Sequence, residues 1–322
     1  MPPPAPTDVS AADAATGPLA GLATWRVIPL RHPGRWIATV VVLVVLAQVV
    51  HGLVTNQFYQ WERFTYWFFE PAVLDGLLIT LYVAAVSAVL ALAGGTVLAL
   101  ARLSRSPVLQ AVSWTYIWLF RSVPLIVVLL FLYNFSALYQ TLSVGVPFGP
   151  AFITFGVTAL ATETVIAILG LTLHESAYAA EIVRAGILSV DQGQHEAAAA
   201  LGIPRYHQFR RIVLPQALRS VIPNYVNLLI SLVKSTSLVF YVSLLDLFGT
   251  VQSLGSTYPG DIVPLLLVAT VWYVILTSVV SVVQYYVERR FARGAVRTLP
   301  LTPLQRLRGG FTDLRARAAV RR

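Results

Sequence analysis

The sequence predicts an all-α, polytopic membrane bundle of six transmembrane helices, and three observations carry that expectation. Of the 322 residues, 57% are hydrophobic and only 11% are charged, against about 25% charged in soluble domains. The apolar residues gather into runs long enough to cross a bilayer, which takes about 20 residues. The basic residues collect between those runs, on alternate connections. Mean hydropathy is +0.72. Cys is absent, which excludes disulfide frameworks and thiolate metal sites. His32, His51, His174, His195 and His207 show no ligand spacing, so no metal site is expected.

Residues 1–35 are rich in Pro and Ala and lack a basic start. They predict a disordered cytoplasmic tail rather than a signal peptide. Residues 36–73 hold an additional span, Trp36 to Val54, and a polar, aromatic external loop, Asn56 to Glu70, with Glu62 and Arg63 inside it. Leu74 to Leu100 is the second span. Its Ser87, Ala91, Gly95 and Ala99 recur every four residues and make one small face, suited to close helix packing in preference to lining a pathway. Leu109 to Phe120, with Trp114, Tyr116 and Trp118, predicts an interfacial aromatic stretch. Arg121 and Pro124 open the third span, Pro124 to Tyr139, and the uncharged Ser143 to Pro150 follows as a short external loop. The fourth span lies within Phe152 to Ala180, the fifth runs from Ile222 to Leu245, and the sixth from Val263 to Val287. Residues 289–322 form a cytoplasmic tail with ten arginines.

Lys and Arg counts set the orientation. With both termini cytoplasmic, 21 of the 23 Lys and Arg residues fall on the inner side, including Arg102, Arg105 and Arg121. Arg63 alone lies outside, and Lys234 lies in the membrane. The net charge of +9 therefore reads as membrane topology and not as a nucleic-acid footprint.

One connection differs from the rest. Glu196 to Leu201 is Ala-rich and predicts a short helix. Gly202 supplies a position where a helix can end with positive φ. Pro204 suits the first turn of a second helix. That helix carries Tyr206, Phe209, Ile212 and Val213 on one side, with Arg210 and Arg211 turned elsewhere, and Pro215 marks its expected end. The pattern is helix, bend, helix, ordered enough to predict that something docks on it.

The only lysine is Lys234. It is preceded by Val233, and Leu228 stands where the first Gly of a phosphate-binding loop belongs. The chain has no such ATPase of its own.

Glu196-Ala197-Ala198, Gly202 and Ile212-Val213-Leu214-Pro215 resemble, at the expected spacing, the cytoplasmic EAA loop of ABC-importer permeases. The resemblance runs from Leu74 to Glu288. Gly76 to Leu81, Arg121-Ser122-Val123-Pro124, Ala177 to Ile187, Pro215 to Arg219 and Lys234 to Leu238 are similar to the polar amino-acid branch. It implies a type-1 permease core of five helices over 74–288, a bacterial cytoplasmic-membrane location, and a non-enzymatic role in amino-acid uptake. It also implies an ATPase dimer that binds ATP–Mg and receives the coupling helices in a groove, a second permease subunit, and an external binding protein. No cofactor is expected in this chain. Glu196, Ala197, Ala198, Gly202, Ile212, Leu214 and Pro215 are the implied coupling residues. Arg210 and Arg211 either meet acidic residues of the ATPase or anchor the loop at the inner face. The extra first span, the Arg-rich tail and the bulky Phe240-Tyr241 depart from the minimal pattern, so substrate preference does not transfer in detail.

Three pathway candidates remain: Lys234, Ser237 and Glu163. Lys234 lies 11 residues past Pro223, roughly 16 Å along a helix, a depth at which a lysine costs about 2.5–3.5 kcal/mol. It either attracts a substrate carboxylate or pairs with Glu163, Glu175 or helix carbonyls. Glu181 and Arg184 have the spacing of an i,i+3 pair. A stand-alone ion-coupled carrier or channel is the alternative function. It lacks the inverted halves with paired broken helices that such carriers show. An intramembrane enzyme is the third, and no H-E-x-x-H or G-x-S-x-G is present.

Overall fold

The computed structural model describes residues 33–146, 149–157 and 162–291. The expected tails lie almost wholly outside them. The chain divides into two compact units, residues 1–57 and 58–322. In the first, the described element is α1, Pro33–Thr55, a uniformly apolar helix of span length.

The second unit holds the remaining helices. Among the described residues, five helical stretches are long and apolar enough to cross a membrane: Gly34–Thr55, Pro71–Leu103, Glu163–Leu188, Arg205–Val242 and Pro259–Phe291. A sixth is made by two helices together, α4 (Pro107–Ser122) and α5 (Leu125–Tyr133), which are bent 101° apart. The expected count of six holds once this pair is read as one broken span. The expected interfacial stretch is therefore α4, part of the crossing, and the third span runs over Pro107–Ser122 and Leu125–Tyr133 rather than Pro124 to Tyr139. The break has a local cause. Val123 precedes a proline and is extended, at φ −90° and ψ 129°, as the pyrrolidine ring requires of its predecessor.

Helices α3 (Pro71–Leu103) and α7 (Glu163–Leu188) run parallel and form the bundle's centre. The small face of α3 faces α7: Ser87, Ala91 and Ala99 are fully buried. A Cβ on Gly95 would come within 2.6 Å of the Ala179 Cβ and 2.9 Å of the Ser176 carbonyl. That is helix packing, as expected. At one end, Leu125 and Leu129 of α5 pack with Val83, Ile166, Leu171 and Leu232.

Two expected loops are structured. Asn56 to Glu70 contains α2 (Trp61–Phe68), whose Trp67 is buried. Its indole Nε1 donates to Asp261 Oδ2 at 2.9 Å, beside the start of α12 (Ile262–Phe291). Phe68 stacks on Trp272 at 4.8 Å and 8°. Beyond the four-residue α6 (Phe135–Leu138), the uncharged stretch after Tyr139 forms a hairpin, β1 (Thr141–Gly145) with β2 (Ala151–Gly156), antiparallel with an irregularity at Val144/Gly145. These are the only strands among the described residues.

Candidate functional site

The connection singled out by sequence is an exposed elbow. Helix α8 spans Gln192–Ala200, four residues earlier than expected, because Asp191 caps it by accepting the Gly193 N–H at 2.8 Å. Gly202 ends it at φ +65°. The Gly202 N–H donates to the Ala199 carbonyl and the Ile203 N–H to the Ala198 carbonyl, each at 3.0 Å. This is the double closure of a Schellman turn, which needs a left-handed residue at this position. Pro204 then opens α9 (Arg205–Gln208). Across the bend, Gln208 Nε2 lies 3.0 Å from His195 Nδ1 and fixes the angle between the two helices.

Glu196, Ala197, Gly202, Arg210, Arg211 and Pro215 are exposed, Ile212 and Leu214 are half-buried, and Ala198 is buried. Val213 packs under the elbow with Val190 and Ala217. Two expectations are corrected. Tyr206 does not share the buried side of Phe209 and Val213; it is 65% exposed, and its hydroxyl accepts from Arg210 at 3.5 Å. Pro215 does not end the second helix. The chain widens into a π-helical turn, Phe209–Val213, and continues as α10 (Leu214–Ser235), with Pro215 in its first turn. The elbow and the fifth span are one helical rod, Arg205–Val242. At its base Arg184 Nη2 bonds Glu181 at 2.7 Å, the expected i,i+3 pair.

The pathway candidates are scattered. Glu163 is the exposed first residue of α7. Lys234 is exposed, and among the described residues its side chain has no hydrogen bond or ion pair. Its expected partner Glu175 is buried and faces His174 instead, at 3.3 Å. Leu232, two residues before Lys234, belongs to one buried cluster with Val83 of α3 and Ile166 and Leu171 of α7. Ser237 donates its hydroxyl to the Lys234 carbonyl at 2.8 Å, so it sits in the same turn.

Sequence reasoning missed one polar contact. Arg121, expected to open the third span at the inner side, lies near the end of α4 with its guanidinium 5.4 Å from the Tyr178 ring centre. Tyr178 is ten residues from the end of α7, about 15 Å along its axis. His174 is one turn further, its ring 5.1 Å from that of Tyr178. The pair His174–Glu175 was present in the sequence, but nothing there indicated that Arg121 would lie over Tyr178.

Among the described residues no cluster of metal-ligating side chains occurs. An ordered, exposed knob on a polytopic bundle fits the class of membrane subunits worked by a separate partner. The model of the family described as "binding-protein-dependent transport system inner membrane component" matches residues 91–293, and the chain belongs to that family. Its relatives include the arginine transport system permease protein ArgU of Corynebacterium glutamicum, 39% identical over 87% of each chain. They also include the glutamate/aspartate import permease protein GltK of Escherichia coli, 35% identical over 69% of this chain and 94% of the relative. Among solved structures, an amino acid ABC transporter crystallised with histidines is 28% identical, with TM-score 0.58 over 68% of this chain and 94% of that one. The methionine transporter MetNI, at 20% identity and TM-score 0.52, shares the fold.

The chain is thus an ABC-importer permease subunit and a multi-pass membrane protein, not an enzyme and not a stand-alone carrier. ATP hydrolysis resides in a separate subunit, and the family implies that ATPase and a second permease as partners.

Proposed function

We propose that this chain carries an amino acid, received from an external binding protein, across the cytoplasmic membrane, driven by an ATPase dimer that grips residues 192–215. One observation carries the reading: the exposed elbow and the fifth span are a single rod, Arg205–Val242. Displacement of the elbow by a closing ATPase is transmitted along that rod, and the π-helical turn and Pro215 do not interrupt it. Such rigid-element motion is how an outside motor biases two states of a bundle. The amino-acid substrate is supported by the names of the relatives, arginine and glutamate/aspartate systems among them.

In this reading Glu196, Ala197, Ala198 and Gly202 present the first face of the elbow, and Arg210, Arg211, Ile212, Leu214 and Pro215 the second. Arg210 and Arg211 are exposed where acidic groups of an ATPase would meet them. Lys234 and Ser237 ride on the rod near the end at which α7 begins with Glu163, and form the outer mouth. Both termini face the cytoplasm. The placement of the basic residues supports this.

The test uses the complete transporter in its membrane. Gly202→Pro forces φ near −65° where +65° is needed, and Glu196→Lys reverses an exposed charge. Both are expected to lower ATPase association and uptake about tenfold or more, the loss of roughly 1.4 kcal/mol of coupling, while insertion persists. Normal uptake in both variants overturns the reading.

A further inference from the structure

The elbow lies at one end of α7, and a feature that the coupling does not use lies at the other. The hairpin of β1 and β2 precedes Glu163, the first residue of α7, and the elbow follows Leu188, its last. The 26 residues of that helix span about 39 Å, so hairpin and elbow stand on opposite sides of the membrane. No Asp, Glu, Lys, Arg or His occurs from Ser122 to Thr162. Nothing in the hairpin therefore repels a like segment.

The chain leaves both faces and the outer edge of β2 open. Successive strand residues point to opposite faces, and Ile153 and Thr154 are both exposed, Ile153 at 63%. The Val157 N–H donates to the Gln140 carbonyl at 3.0 Å, and bonded pairs alternate with non-bonded ones along an antiparallel ladder. Ser143 and Thr154, opposite each other in the register, are thus a non-bonded pair, and Thr154 turns its N–H and carbonyl away from β1. A two-stranded hairpin is marginal by itself. Edge strands are guarded by charge or proline, and Ala151-Phe152-Ile153-Thr154-Phe155-Gly156 has neither. Its one irregularity is the extra residue Phe152, near the turn. Uncharged segments of this kind, free of proline, pair with their own copies.

We propose that β2 is an interface between two copies of this chain. The β2 strands of the two copies pair antiparallel about a two-fold axis at Thr154, and the two hairpins become one four-stranded sheet. Such an interface uses the same patch twice, and an uncharged edge is complementary to itself. A binding protein would have to bring an open, uncharged edge of its own, whereas a second copy carries one by construction. The proposal rests on the presence of a second permease, which the family implies. It makes that second permease another copy of this chain, and it does not depend on the substrate.

The chain has no Cys, so one introduced cysteine per subunit reports on one contact. Thr154→Cys, Ile153→Cys and Ser143→Cys are each placed in the complete transporter, with two affinity tags on separate co-expressed copies, and the membranes are oxidised. In the proposed sheet Thr154 faces its own counterpart at a Cα spacing of about 5.5 Å, within disulfide reach. Ser143 lies on an outer strand, three strand spacings or about 14 Å from its counterpart, and out of reach. Thr154→Cys is expected to give a linked dimer that carries both tags, with about tenfold or more product than Ser143→Cys. Ile153→Cys covers a register shifted by one residue. Equal linkage at Ser143 and Thr154 overturns the pairing, as does the lack of a two-tag dimer from both Thr154→Cys and Ile153→Cys. So does a product that joins this chain to the binding protein or to a different permease. Uptake measured in parallel keeps the readings apart. Absent linkage with full uptake overturns the interface alone; linkage in a parent transporter that takes up no amino acid overturns the substrate reading alone.

Discussion

Prolines in the spanning helices of this bundle act in opposite ways. At Pro124 the helix breaks and turns by 101°. At Pro215 it runs on from the elbow into α10, and Pro223 sits inside the same helix without ending it. The residue before the proline differs. Val123 is extended, whereas Leu214 keeps helical angles, φ −58° and ψ −47°. Before Pro215 the chain widens into a π-helical turn, in which the Leu214 N–H reaches back to the Phe209 carbonyl. The wider turn relieves the clash of the ring with the preceding carbonyls.

A side chain then supplies a donor. Gln216 Nε2 donates to the Ile212 carbonyl at 3.0 Å, and after Pro223 the Asn224 Nδ2 donates to the Ser220 carbonyl at 2.8 Å. In each case the residue following the proline adds a bond to the carbonyl four positions before itself. Leu125, following Pro124, has no such group. In an α-helix the carbonyls left without a donor by Pro215 and Pro223 are those of Arg211 and Arg219, so these side-chain bonds brace the adjacent turns rather than replace the missing bond.

Four substitutions sharpen or break this contrast. The largest effect is expected from Gly170→Val, because α5 can lie at its angle only against a bare glycine. A Cβ there meets Leu129 Cδ2 at 2.6 Å, and Leu129 is fully buried. Overpacking of this kind costs about 1–3 kcal/mol, read as a lower midpoint in thermal unfolding of the detergent-solubilised transporter. Next is Pro124→Ala, which frees Val123 to become helical. Uptake is expected to fall by about tenfold, ~1.4 kcal/mol, with protein level unchanged; full uptake would mean that packing alone sets the break. Gln216→Leu removes the donor beside Pro215 and is expected to cost about 1 kcal/mol. It would show as faster hydrogen exchange across residues 209–216. Asn224→Leu acts the same way on an exposed turn and is expected to cost about 0.5 kcal/mol, with the exchange confined to residues 220–224. Equal exchange in these last two and in the parent chain would remove the side-chain donors from the explanation.

The parts of the molecule legible in the sequence are those fixed by neighbours in the chain. Gly202 at a helix end, Pro204 at the next start and the i,i+3 spacing of Glu181 and Arg184 are local signals, and the structure realises each. The four-residue repeat of Ser87, Ala91, Gly95 and Ala99 belongs to one helix and marks its packed face. What escaped depends on distant partners. The helix at Trp61–Phe68 is held by Asp261, 194 residues away from Trp67, so its residues alone read as a loop. Arg121 meets Tyr178, 57 residues further along the chain, and its own neighbours in sequence carry no sign of that contact. Pro223 does not mark where the fifth helix begins, since α10 starts nine residues earlier, at Leu214.

The bond between Trp67 and Asp261 closes a ring. It joins the segment just ahead of α3 to the start of α12, the first and last spans of the second unit, with Arg63 adding a second hold on the same carboxylate at 3.6 Å. Two ends clasped in this way travel together when the subunit changes shape. Any rearrangement that keeps this clasp closed falls on the middle of the chain, where the broken α4–α5 span lies.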